Sequence, residues 1–176
     1  DGLIAMGLIL PGHELEYEGR PPVFDVGCVG QILTHDKMPG GIYNILLQGV
    51  RRMKIVSELP PDRPFRLVQA EPLDDDYSAA GELERPARRQ RLVDSFKGAM
   101  PGSPSVHLGL DHLLGSDLSL GELTDIVAYT IDLDLALKQT LLAEPNVDAR
   151  AEHLIRALSP QGDLAKKRFP PDFSTN

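Results

Sequence analysis

The stretch DKMPGGIYNILLQGVRRMKIV, residues 36–56, decides the fold predicted for the first half of this chain. Its MPGG segment (38–41) has the composition of a turn, because proline fixes φ at about −65° and a following glycine accepts a positive φ. Two apolar stretches come next, at 42–50 and 51–59, and they meet near Gly49. Their composition predicts two strands after the turn.

The strand pattern continues on both sides of this stretch. Apolar runs at 3–10 and 23–35 precede it, and FRLVQAEPL at 65–73 follows it. About five strands at spacings of roughly 8–12 residues, with no helix between them, predict a small antiparallel barrel or sandwich. Gly27 and Gly30 lie inside the second run, where glycine favours a bulge or a sharp bend.

The periodicity changes from strand to helix after Tyr77. A helix is predicted over 82–97, and Ser119 with Glu122 forms a capping box ahead of another. Two more helices are predicted, one over 134–144 and one that Asn146 caps, with apolar residues at helical spacing. Short connections predict antiparallel neighbours and therefore a small helical bundle.

The chain therefore divides into a β subdomain at 1–77, a helical subdomain at 78–158 and a tail at 159–176. The fold class predicted is α+β.

The charge balance argues against a nucleic-acid partner. The chain has 18 Lys and Arg against 26 Asp and Glu, a net charge of −8. Nucleic-acid binding draws much of its affinity from basic side chains that neutralise phosphates. One basic cluster, Arg51, Arg52 and Lys54, is either an anion site or the solvated face of a strand, where positive charges discourage edge pairing. The second interpretation is favoured by acidic neighbours, namely Asp36, Glu58 and Glu71.

Residues for catalysis or metal binding are not arranged in any recognisable motif. The single cysteine, Cys28, lies in an apolar run and excludes an intrachain disulfide and a cysteine-based zinc site. The five histidines lack metal-ligand spacing, and neither G-x-S-x-G nor GxxxxGK[ST] occurs. We therefore expect no enzymatic activity, no cofactor and no metal.

The sequence also bears on location. No apolar run approaches the ~20 residues of a membrane-spanning helix, and no signal peptide is visible. We expect a cytoplasmic protein with no membrane partner.

Apolar residues at loop tips are the candidate contacts for a partner. Met38 and Pro39 lie at the predicted hairpin tip, and Pro60 and Pro61 lie in another loop. The alternative is that they pack back against the sheet. With the neighbouring apolar residues, the candidate binding set is Val23, Phe24, Met38, Pro39, Leu59, Pro60 and Pro61.

Residues 17–77 resemble the N-terminal, substrate-binding domain of Lon proteases, and most closely the short bacterial proteins that carry this domain alone. The resemblance is carried by VGCVG (26–30), GIYNILL (41–47) and GVRR (49–52). The helical half is similar too, over 123–155, so that the resemblance covers most of residues 1–158.

The resemblance implies a PUA-like antiparallel pseudo-barrel followed by a helical bundle. It implies a non-catalytic module that binds unfolded or extended polypeptide and helps to order a hexamer, while the ATPase and Ser–Lys protease modules of Lon lie elsewhere. The family also has a leading strand and helix that are absent here, so we expect an open sheet edge. The alternatives are a nucleic-acid-binding PUA-like domain and a structural module that builds a homo-oligomer.

Overall fold

The computed structural model of the chain describes residues 2–100 and 117–159. The chain forms two compact units, Asp1–Asp74 and Asp75–Asn176, called here the sheet unit and the helical unit. The boundary falls inside the acidic run that precedes Tyr77. The predicted tail lies outside the described residues, apart from Ser159.

The sheet unit contains four antiparallel strands that pair in chain order. They are β1 (Leu3–Met6), β2 (Val26–Lys37), β3 (Tyr43–Glu58) and β4 (Val68–Leu73). β1 and β4 do not pair with each other, so they are the outer strands of the sheet. The predicted turn is confirmed: Pro39–Gly41 forms a 3-10 turn in which both glycines have positive φ.

The prediction of two strands at 42–50 and 51–59 is wrong, and so is the count of about five. The two stretches form one strand, β3, which continues through Gly49. Val29 pairs with Arg51 and Gly30 pairs with Gly49, so that Val50 is the extra residue of a bulge. A bulge admits one unpaired residue and lets the pairing resume, which is why the glycine does not end the strand.

Close packing of the first two strands explains Gly27. A Cβ at this position would lie 2.5 Å from the main-chain oxygen of Met6 on β1 and 3.2 Å from the Met53 side chain. Among the described residues of the sheet unit, Val26 and Met53 are the buried large apolar side chains. The sheet unit therefore has a thin apolar core.

The helical unit contains four helices among its described residues. They are α1 (Arg85–Ala99), α2 (Leu120–Thr130), α3 (Leu135–Ala143) and α4 (Val147–Leu158). Pro86 lies in the first turn of α1. The predicted capping box of Ser119 with Glu122 is confirmed, as is the cap at Asn146, whose side chain accepts a hydrogen bond from the Ala149 N–H. The α+β class is therefore confirmed.

The apolar core of the helical unit is extensive. Its fully buried members include Leu92, Phe96, Leu123, Val127 and Leu154. This core contrasts with the thin core of the sheet unit.

Arg150 on α4 is buried, with 1% of its surface exposed. Its guanidinium donates two hydrogen bonds to the Asp75 carboxylate, at 2.7 and 2.9 Å. It also donates to Thr124 Oγ1 at 3.1 Å and to the Glu144 carbonyl at 3.0 Å. These bonds satisfy a buried charge and fix the first residue of the helical unit against α4.

Candidate binding surface

Exposed apolar side chains are concentrated in the sheet unit. Of the 18 large apolar side chains exposed among the described residues, 14 belong to the sheet unit. Scattered exposed apolar residues are ordinary, whereas a concentration of them marks an interaction surface. The sheet unit is therefore the part of the chain in which to look for a binding surface.

The largest group lies on a two-stranded extension of the sheet, residues 33–46, called here the arm. β1 pairs only with Cys28–Gln31 of β2, and β4 pairs only with Arg52–Glu58 of β3. The remaining ends of β2 and β3 pair with each other alone. Six apolar side chains on the arm are 44–65% exposed, namely Leu33, Met38, Ile42, Tyr43, Ile45 and Leu46.

Strand alternation divides these side chains between two faces of the arm. Tyr43 and Ile45 share one face, which the half-buried Leu47 continues just beyond the arm, while Leu46 lies on the other. On the first face the His35 ring lies 6.4 Å from the Tyr43 ring, and Lys37 Nζ lies 5.8 Å from its centroid. The face that carries Tyr43 is called here the tyrosine face.

No charged residue occurs between Met38 and Val50 in the sequence. Charged groups begin at Arg51, whose guanidinium forms an ion pair with Asp74 at 2.7 Å. Lys54 stands directly opposite Glu71 in the register of β3 and β4. The ion pair of Arg51 and the carboxylate residue opposite Lys54 favour the solvated-strand interpretation of the basic cluster over an anion site.

The other end of the sheet carries a compact charged group. Arg66 donates two hydrogen bonds to Glu58, at 2.7 and 2.9 Å, and one to the Pro21 carbonyl at 2.7 Å. Arg20 lies 3.6 Å from the same carboxylate. The hydrogen bonds from Arg66 lower the pKa of Glu58 below its ordinary range. These arginines are engaged in holding loops together.

The structure separates the predicted binding residues into two groups. Met38 and Pro39 lie at the tip of the arm, and Leu59, Pro60 and Pro61 follow the opposite end of β3. The 16 residues of β3 lie between them, a length of about 50 Å at roughly 3.3 Å per residue.

The other two predicted residues, Val23 and Phe24, are half-buried. Val23 forms a β-bridge with Ile9, and the Phe24 N–H donates to the Leu8 carbonyl at 2.8 Å. The structure therefore gives no single site that contains all seven predicted residues.

Five exposed residues of the arm were absent from the predicted set, namely Leu33, Ile42, Tyr43, Ile45 and Leu46. Their sequence indicates a strand, and strands in a closed sheet have one buried face. The signal that could have identified the last four is the 13-residue stretch without charge, from Met38 to Val50.

Within residues 2–100 and 117–159, no group of three or more His, Cys, Asp or Glu side chains is placed to hold a metal ion. In the same part of the chain, no helix has the length and apolar character needed to cross a membrane.

The fold defines a class of α+β domain in which a four-stranded antiparallel sheet precedes a helical bundle in the chain. The chain belongs to the ATP-dependent protease La (LON) substrate-binding domain family, whose model matches residues 1–159. The resemblance drawn from the sequence is thereby confirmed.

Curated relatives of the chain include Lon proteases. The chain is 28% identical over 142 residues to the Lon protease of Syntrophomonas wolfei, covering 81% of this chain and 17% of that protein. It is 28% identical over 146 residues to the Lon protease of Escherichia coli K12, covering 83% and 18%. The chain thus spans less than a fifth of the length of these relatives.

A solved structure, the N-terminal domain of the Mycobacterium avium complex Lon protease, has the same fold. It matches with a TM-score of 0.63 and 15% identity, covering 90% of this chain and 91% of that one.

Proposed function

We propose that this chain is a non-catalytic module that binds unfolded or extended polypeptides through the exposed apolar surface of its sheet unit. The observation that carries the proposal is the arm, where six large apolar side chains are exposed, five of them in the uncharged stretch from Met38 to Val50. An unfolded polypeptide exposes the apolar side chains that complement such a surface, and a folded protein buries them.

The energetics favour a binder of modest affinity. Burying one large aliphatic side chain fully contributes about 1.5–3 kcal/mol, and the arm residues have roughly half of their surface left to bury. Ordering a disordered partner costs about 2–5 kcal/mol, which offsets part of the gain. Reversible binding of many different sequences is the expected result.

The family supports the same proposal. The family is described as a substrate-binding domain of an ATP-dependent protease, and the matched relatives are Lon proteases. We propose that the chain supplies recognition in the bacterial cytoplasm and that any ATP hydrolysis or peptide-bond cleavage belongs to other modules. Self-association into an oligomer is compatible with this role.

The direct test is an equilibrium binding assay. The ligand is a small protein that has been reduced and alkylated so that it cannot refold, labelled for fluorescence anisotropy, and the matched control is the same protein in its native form. The proposal predicts saturable binding of the unfolded form only. Equal binding of both forms, or none at about millimolar concentration, contradicts it.

An RNA oligomer serves as a second control ligand. The basic groups that could contact phosphates are partly engaged, since Arg51 pairs with Asp74 and Arg66 with Glu58. We expect no RNA binding at physiological salt.

A further inference from the structure

Over half of its length, the outer edge of β3 pairs with no other strand among the described residues. β4 pairs with β3 from Arg52 to Glu58, and no strand among the described residues pairs with the same side of Tyr43–Val50. On this side of β3, the neighbouring position in the sheet is occupied by β4, which ends where Arg51 pairs with Asp74. Beyond that point no described strand occupies this position.

The main-chain groups on this side of β3 can be assigned. The Met38 N–H donates to the Ile42 carbonyl at 2.8 Å across the turn of the arm, so the Ile42 main chain faces β2. Alternation along a strand then turns the N–H and C=O of Tyr43, Ile45 and Leu47 away from β2.

A second hydrogen bond checks this assignment. The bulge at Val50 shifts the alternation by one residue, which turns Ile55 toward β2. The Ile55 N–H indeed donates to the Asp25 carbonyl, at 2.6 Å, on the β2 side of β3.

The two edges of the arm differ in how well they are protected against pairing with another strand. Natural proteins blunt exposed edges with charges, prolines or short strands. The β2 edge carries His35, Asp36 and Lys37, whereas the β3 edge has no charge from Met38 to Val50 and no proline after Pro39. An unprotected edge of this length is suited to pairing with another strand.

We infer that the β3 edge at Tyr43–Gly49 accepts an extended polypeptide segment as an added antiparallel strand. This inference rests on the proposed function and specifies how the polypeptide is bound. The occupant is polypeptide because an extended main chain supplies acceptors and donors at the spacing of the Tyr43, Ile45 and Leu47 groups. The antiparallel direction follows β4, which pairs on the same side of β3.

The chemistry of the occupant follows from the tyrosine face. In an antiparallel pair, a residue that exchanges hydrogen bonds with Tyr43, Ile45 or Leu47 stands directly opposite it, and both side chains lie on the same face. The bound segment therefore has apolar residues at alternate positions. Those same residues are the ones whose N–H groups donate to β3.

Because the apolar residues of the bound segment also supply the N–H groups that donate to β3, the inference can be tested on the unaltered protein. The ligand is a peptide of about eight residues, the length of a strand, in which valine and threonine alternate. One derivative carries N-methyl groups on the valines and the other on the threonines. Methylation of the valines removes the donors that face β3, so we expect an affinity loss of at least about tenfold, against less than about threefold for the threonine derivative.

Two results would overturn the edge-pairing inference. Equal affinities of the two derivatives would refute main-chain pairing while the proposed function stands, and so would binding of the unfolded protein without binding of the parent peptide. If neither ligand binds, the proposed function itself fails.

A matched pair of variants gives an independent readout. Asn44 and Ile45 are adjacent and both exposed, but they lie on opposite faces of the arm, and Asn44 is not one of its six apolar side chains. Ile45→Lys places a charge on the tyrosine face and should lower peptide affinity at least about tenfold, whereas Asn44→Lys should change it less than about threefold. Equal losses refute the assignment.

The same variants test a second copy of this chain as the occupant. A doubled mass in light scattering that Ile45→Lys abolishes, without competition by the peptide, would show self-pairing and overturn the inference.

Discussion

Replacing two apolar residues of the tyrosine face, Tyr43→Ser together with Ile45→Ser, should weaken polypeptide binding by a factor that the structure allows us to estimate. The two side chains are 53% and 44% exposed. Complete burial of one such side chain contributes about 1.5–3 kcal/mol, so the half still available contributes about 1 kcal/mol. Together they contribute about 2 kcal/mol, which corresponds to roughly a 30-fold increase in Kd.

The assay is a titration of the unfolded ligand, the reduced and alkylated protein, with this chain. Binding is followed by the fluorescence of the ligand's tryptophans, because this chain contains no tryptophan. The matched control is Tyr129→Ser with Leu135→Ser, two exposed residues of the helical unit that are 89% and 61% exposed. We expect the control to bind like the unaltered chain, and both variants to keep its circular dichroism spectrum. Unchanged binding by the Tyr43 and Ile45 variant, or an equal loss in the control, would refute the reasoning.

Three further predictions concern the helical unit, whose unfolding in urea is followed by helical circular dichroism. Arg150→Met leaves the Asp75 carboxylate without its ion-pair partner and should lower the free energy of unfolding by about 3 kcal/mol. Adding Asp75→Asn removes that charge and should restore part of the lost free energy. Hydrogen bonds from Arg85 hold the pKa of Asp148 below its ordinary 3.8. The contribution of Asp148 to the free energy of unfolding is therefore complete above about pH 4 and is lost as pH falls further. A free energy of unfolding that stays constant from pH 5 to 2 contradicts this. Ser119→Ala removes a capping hydrogen bond and should cost about 1 kcal/mol, whereas a loss under about 0.3 kcal/mol would show that the cap is not needed.

The helices could be predicted from the sequence because their determinants are local. Ser119 and Asn146 each accept a hydrogen bond from a main-chain N–H three residues further along, so a short stretch of sequence contains both partners. The turn at Pro39–Gly41 is equally local. Such features depend little on the rest of the fold.

The arm could not be predicted because its exposure depends on other strands. Whether Tyr43 and Ile45 are buried is decided by where β1 and β4 stop pairing. The uncharged stretch around them indicates an apolar surface, but it does not say whether that surface is buried or exposed. The burial of Arg150 has the same origin, since its carboxylate partner Asp75 lies 75 residues away in sequence. The separation of the predicted binding residues into two groups has a similar origin. A break between two strands was predicted near Gly49, but β3 continues through it and holds the two groups at its opposite ends.

The most direct test of polypeptide binding by the sheet unit is an NMR titration of the isotope-labelled chain with the reduced, alkylated protein. The account predicts that amide shifts appear on residues 33–50 and are absent with the native form of the same ligand. Shifts confined to residues 78–158, or identical shifts with the native form, would contradict it.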